Sequence, residues 1–325
     1  MLSTSPDAAG VWMIVSAGSE GAGEGSLDDV QPARASERAP AMMAAAVMVV
    51  RGYRVMRMCV SPRCQKSSVT DFGPNQAIVS NTNWKGSNHM DVTRALSDVL
   101  LVHGASHDAS SWDALRVELG RRGVVAAAVD LPSSGGLFGM EDDARAIRHA
   151  VAYYRPRVVV CHSYGGMPTT SAVRSGTSVG HVIYLTALVP DVGDSLASLS
   201  ADVPEDGAWE MSADEDWIQA VDPRDLFYGL CEASISDAAV AALRPQAVRA
   251  FNERLNNEPS WRSVESSYIL CLHDRAIPLS LQERMAARTR ISRSLPSDHS
   301  PFLSMPGRTA DAIIDLAFQS GADRP

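Results

Sequence analysis

The chain has 325 residues, 45% of them hydrophobic, enough for one large domain or two ordinary ones with a sizeable core. Its formal charge of −9 argues against the basic face that general nucleic-acid binding needs, and its longest apolar stretch, AMMAAAVMVV at 41–50, is too short to span a bilayer. The five cysteines (Cys59, Cys64, Cys161, Cys231 and Cys271) are odd in number and include no Cys-x-x-Cys pair. Neither a disulfide framework nor a metal site is expected, and a reducing, cytoplasmic setting is.

Residues 1–89 show no sustained period and are expected to be a poorly ordered or non-native extension, with Met90 as the functional start. From there strands and helices alternate. DVLLVHG (98–104), VVAAAVDLP (124–132), RVVVCHS (157–163), HVIYLTALVP (181–190) and SYILCLHD (267–274) are near-continuous apolar runs. Such runs fit parallel strands buried on both faces. SSWDALRVELGRRG (110–123) predicts a helix with a Ser N-cap, a Trp112-Leu115-Leu119 face and a Gly stop. MEDDARAIRHAVAYY (140–154) predicts another, with acids in its first turn. A third follows Ser163, and the last covers 309–319. Residues 191–262 hold no convincing central strand, but do hold helical pieces and Trp209, Trp217 and Trp261. The pattern predicts an α/β fold: a mostly parallel open sheet flanked by helices in 90–325, with a small helical cap inserted at about 191–262. Such a cap lies over the C-terminal sheet edge, where open α/β sheets bind ligands.

The strand at 158–163 runs straight into a helix through Cys161-His162-Ser163-Tyr164-Gly165, followed by Gly166. One sharp turn between strand and helix strains the turning residue and demands small neighbours two positions either side. That is the G-x-S-x-G elbow, which lifts a serine hydroxyl clear of the sheet. Cys161 replaces the first glycine, a departure by one of the smaller alternatives. A serine hydroxyl needs a base, and the base needs an orienting acid, in the chain order Ser, acid, His. Asp274 follows the last apolar strand and His299 lies in the loop before the final helix, so both fall in that order. The oxyanion donors are expected from the backbone N–H groups of Tyr164 and Ala105, with Gly104 letting the latter come close.

Together LLVHGASHDASSWDAL, VVVCHSYGGM, HDRAIPLSLQERMA and SDHSPFLSMP resemble the small α/β-hydrolase-fold esterases over about 98–319. That family includes plant methyl esterases, hydroxynitrile lyases and bacterial carboxylesterases. The resemblance implies an α/β-hydrolase fold, a catalytic triad of Ser163, Asp274 and His299, oxyanion amides at Ala105 and Tyr164, and no cofactor. Lyases of the family carry Thr after the first His of the oxyanion loop and Lys after the catalytic His. Gly104 and Ser300 stand at those places here, which favours ester hydrolysis over cyanohydrin cleavage.

The candidate substrate-binding residues are Gly104 and His107 near the oxyanion loop and Trp209, Trp217, Phe227 and Tyr228 in the cap. The four aromatics either line an apolar acyl or alcohol pocket or simply hold the cap together. Asp191 is the alternative acid, and Asp298 is taken as a solvated loop residue. His103 is read as structural or substrate-adjacent, His162 as packing or hydrogen-bonding behind the elbow, and Asp130 as fixing a turn. The expected partner is a small-molecule ester, with no nucleic acid and no membrane span; a homodimer is left open, as is a slow-turnover ligand receptor on the same scaffold.

Overall fold

The computed structural model describes residues 96–203 and 208–318. The predicted extension at 1–89 and the start at Met90 lie outside the described residues. Within them six strands form one sheet: β1 (Val99–Val102), β2 (Ala126–Val129), β3 (Val158–Ser163), β4 (His181–Ala187), β8 (Glu265–Cys271) and β9 (Ile291–Leu295). Their order is β2-β1-β3-β4-β8-β9, and every pairing is parallel.

Alternation along each strand divides the core in two. Leu100, Val102, Val159, Cys161, Val182 and Tyr184 face one way, against α2 (Met140–Tyr154), α3 (Gly166–Ala172) and α8 (Leu279–Ala286). Val99, Leu101, Val158, Val160, Ile183 and Leu185 face the other, against α1 (Asp113–Arg121) and α10 (Pro306–Ala317). Burial on both faces is why these strands are apolar throughout.

Three local features differ from the sequence prediction. The helix expected from Ser110 begins as a 3₁₀ turn, Ala109–Trp112, and its cap is Asp108, whose carboxylate accepts the Ser110 N–H at 2.8 Å. The strand β9 (ISRSL) was not expected; it lies at the sheet edge and exposes its middle residues, so it lacks an apolar run. The cap between β4 and β8 also contains more than helices. Besides α4 (Leu196–Leu199), α5 (Pro223–Tyr228), α6 (Ala233–Ala242) and α7 (Val248–Asn252), it carries an antiparallel sheet of β5 (Trp209–Met211), β6 (Trp217–Ala220) and β7 (Gln246–Ala247). These strands are two to four residues long, too short for a period to register in sequence. A short helix, α9 (Pro301–Ser304), lies between β9 and α10.

Candidate active site

At the end of β3 the backbone of Ser163 has φ +53°, in the left-handed region that non-glycine residues rarely adopt. The register with β4 shifts between His162 and Ser163, so the strand breaks at this residue. Ser163 is half-buried between the buried His162 and Tyr164. The two glycines that follow are obligatory. A Cβ on Gly165 would collide with the His103 carbonyl oxygen, and one on Gly166 with that of Leu188. Cys161 fits in place of the elbow's first glycine because it points into the core, where its Sγ lies 3.7 Å from the Ile183 carbonyl.

Asp274 and His299, 25 residues apart in the chain, meet at 2.8 Å between Oδ2 and Nδ1. The turn after β8 holds the carboxylate: its Oδ1 accepts the N–H groups of Ala276 at 2.8 Å and Ile277 at 2.9 Å. Oδ2 also accepts the Thr186 hydroxyl at 2.5 Å, from the end of β4. Thr186 carries no motif; only the pairing of β4 with β8 brings it here. The other side of His299 rests on the elbow. Its carbonyl accepts the His162 Nε2–H at 2.8 Å, and the two rings are 4.5 Å apart. Burial holds His162 well below the usual histidine range, so this ring is neutral.

Asp298 corrects an expectation. It is 3% exposed rather than solvated, and it ties the His299 loop to the cap. Its Oδ2 accepts the Leu230 N–H at 2.9 Å, and its Oδ1 accepts the Ser304 hydroxyl at 2.8 Å and the Ser300 N–H at 3.2 Å. The alternative acid Asp191 is engaged elsewhere, in an ion pair with Arg262 at 2.6 Å. Asp130 fixes a turn as expected, accepting the Ala109 N–H at 2.7 Å.

The loop after β1 lies directly on the elbow. The position of a Cβ on Gly104 is 2.8 Å from His162 Nδ1 and 2.9 Å from Ser163 Cβ, so only glycine permits the approach. Two histidines set the peptide planes of this loop. His103 donates through Nδ1 to the Gly104 carbonyl at 2.8 Å, its Nε2 accepting the Leu131 N–H at 2.9 Å. His107 donates through Nδ1 to the Ala105 carbonyl at 2.7 Å, its Nε2 accepting the Tyr228 hydroxyl at 2.8 Å. Burial lowers both rings to about 4, which keeps them neutral and fixes these tautomers near neutral pH. Because a trans peptide points its N–H opposite its carbonyl, clamping the Gly104 carbonyl also aims the Ala105 N–H. Among the described hydrogen bonds none uses the N–H of Ala105 or of Tyr164.

An aromatic wall from the cap faces this arrangement. Phe227 lies 5.6 Å from the His299 ring, 5.7 Å from His107 and 5.8 Å from Trp209. Phe251, which no motif marked, extends it, 5.9 Å from Trp209, whereas Phe302 is buried behind the elbow, 4.9 Å from His162 and 4.6 Å from Trp112. Trp217 is not brought to the wall by any described ring contact; it sits in β6, in register with Ala247.

The sequence model described as "Alpha/beta hydrolase family" matches residues 99–312. A pyrethroid hydrolase of Sphingobium wenxiniae is 27% identical over 267 residues, covering 71% of this chain and 94% of that protein. Methylesterase 7 of Arabidopsis thaliana is 24% identical over 250 residues, covering 67% and 95%. The crystal structure of a pyrethroid hydrolase from Sphingobium faniae superposes with a TM-score of 0.59 at 24% identity, covering 70% of this chain and all of that one. At that identity the superposition speaks for the fold.

Proposed function

Because the chain belongs to the alpha/beta hydrolase family, we propose that it hydrolyses small to medium carboxylic esters through an acyl-enzyme on Ser163. The observation that carries this reading is the Asp274–His299 pair, 2.8 Å apart, anchored through the His299 carbonyl to the residue preceding a serine at φ +53°.

In the first half-reaction His299 accepts the Ser163 proton as the oxygen attacks the ester carbonyl. Asp274 stabilises the imidazolium through Nδ1, and the N–H groups of Ala105 and Tyr164 receive the oxyanion. His299 then returns the proton to the departing alcohol, and water deacylates Ser163 by the same route. The names of the relatives, a pyrethroid hydrolase and a methylesterase, support an ester as substrate. The cap aromatics Phe227, Trp209 and Phe251 support an aryl or otherwise apolar group on it. The free thiols Cys161, Cys231 and Cys271 fit a reducing, cytoplasmic setting.

A panel of p-nitrophenyl and aryl methyl esters, run with wild type and Ser163→Ala, tests the assignment. Hydrolysis that survives in Ser163→Ala refutes it. Stoichiometric labelling by a fluorophosphonate with negligible multiple turnover on every ester would favour a ligand receptor instead.

A further inference from the structure

A fully buried polar chain joins the cap to both expected oxyanion donors, and the ester-hydrolysis reading leaves it unused. Its centre is Gln246 in β7, which is 0% exposed. The Gln246 Oε1 accepts the Ser106 N–H at 3.0 Å, and its Nε2 donates to Ser133 Oγ at 2.8 Å. The Ser133 hydroxyl in turn donates to Asp143 Oδ2 at 2.5 Å, while the Ser133 N–H donates to Oδ1 at 2.9 Å. From the other side the Tyr164 hydroxyl donates to Asp143 Oδ2 at 2.6 Å. Ser133, Asp143 and Tyr164 are all at most 1% exposed. Side-chain donors thus run from Gln246 through Ser133 and from Tyr164 into one carboxylate, which terminates the chain.

We infer that Gln246 is a positioning residue for the oxyanion hole, holding the Ala105 and Tyr164 amides at a set separation through this buried brace. The inference rests on the ester-hydrolysis reading. One end of the brace is the peptide joining Ala105 to Ser106, whose carbonyl is held by His107 and whose N–H is held by Gln246. With that plane clamped at both edges, the Ala105 N–H in the preceding peptide has little freedom to turn. The other end is the Tyr164 side chain, whose own N–H is the second donor. Ser106 needs such a clamp because it sits at φ +64°, a conformation that a serine holds only when its surroundings enforce it.

The cap secures the remaining side of this loop. The Arg244 N–H donates to the Ser106 carbonyl at 2.8 Å, and the Arg244 guanidinium pairs with Asp108. Residues beside Gln246 are pinned to the Ser133 loop, with Gly135 N–H donating to the Pro245 carbonyl at 2.8 Å and Ala247 N–H to that of Ser133 at 3.0 Å. Gln246 is therefore held independently of the site, as a positioning residue must be.

The test is steady-state kinetics on a p-nitrophenyl ester, with inhibition by an aryl trifluoromethyl ketone (a tetrahedral-state mimic) and by the product carboxylate. Gln246→Met keeps the side-chain volume and removes both hydrogen bonds. It should lower kcat by about 10- to 100-fold with KM changed less than about 3-fold. Ketone affinity should fall in parallel with kcat while carboxylate affinity holds. Tyr164→Phe at the far end should show the same split, and the double variant should lose little more than the worse single one, as members of one unit do. Ser133→Ala, which removes a single oxygen, gives the same signature should Gln246→Met not fold.

A folded variant with unchanged kcat, a loss confined to KM or melting temperature, or additive single losses would overturn the positioning role alone. Absence of Ser163-dependent turnover in the wild type would instead overturn the ester reading, and the positioning role with it.

Discussion

Gly104→Ala should damage catalysis far more than stability. The added methyl would stand 2.8 Å from His162 Nδ1, 2.9 Å from Ser163 Cβ and 3.3 Å from His162 Cε1, where ordinary contact begins near 3.4 Å. Neither neighbour can retreat easily. The His162 ring is pinned by its bond to the His299 carbonyl and by the Phe302 ring, and Ser163 is fixed by the elbow. The oxyanion loop must therefore move away by about half an ångström. Overpacking of this kind costs about 1–3 kcal/mol, within the 5–15 kcal/mol by which domains are ordinarily stable, so the variant folds. A displacement of that size between nucleophile and oxyanion donor lowers kcat by about 10- to 100-fold with a smaller change in KM. Ester kinetics beside a thermal melt decide the matter. Wild-type kcat in a folded Gly104→Ala protein would refute the placement of this loop against Ser163. A threonine at residue 104, as lyases of the resembling family carry, meets the same obstruction in this backbone.

Three further outcomes follow from the geometry. Asp274→Asn, which perturbs the tautomer and charge support of His299, should lower kcat by about 10⁴-fold on esters, and a loss below tenfold would argue against the pair at 2.8 Å. Thr186→Val removes one of four donors to the Asp274 carboxylate at nearly constant volume; kcat should fall by about tenfold at unchanged KM, measured on the same ester. The buried His103 and His107, lowered to about 4, are neutral in the fold but charge near 6.5 when unfolded, so their stabilisation is complete above that pH and is lost as pH falls toward 4. Each contributes about 3 kcal/mol to that loss, and His162 acts in the same direction. The Asp143 carboxyl, pushed up to about 7 by burial, opposes them, because the fold gains about 4 kcal/mol as pH falls from about 7 toward 3.8. The histidines outweigh it. Urea unfolding at pH 7.5 and 4.5 should show a net loss of a few kcal/mol on acidification, and flat or rising stability would contradict it.

Much of this site was legible in the residue order, for a local reason. A strand that must turn into a helix at one residue needs glycines at Gly165 and Gly166, because a Cβ there would strike the carbonyls of His103 and Leu188. Buried parallel strands need continuous apolar runs, so β1, β3 and β4 announced themselves, whereas the edge strand β9, with its middle residues in solvent, did not. Asp274 could be named because it follows an apolar strand that the pattern already marked, and His299 because it lies in the loop before the last predicted helix.

What only the tertiary structure decided lies in contacts between segments far apart in the chain. Thr186 reaches Asp274 across 88 residues, Gln246 reaches Ser106 across 140, and Leu230 reaches Asp298 across 68. The same physics turned Asp298 from an expected solvated acid into a buried anchor and left Trp217 in the cap sheet. Sequence by itself determined the elements and the elbow, because steric and burial constraints act over neighbouring residues. Which side chains support the chemistry was set by strand register and by where the cap settles, and neither leaves a periodic trace in the chain.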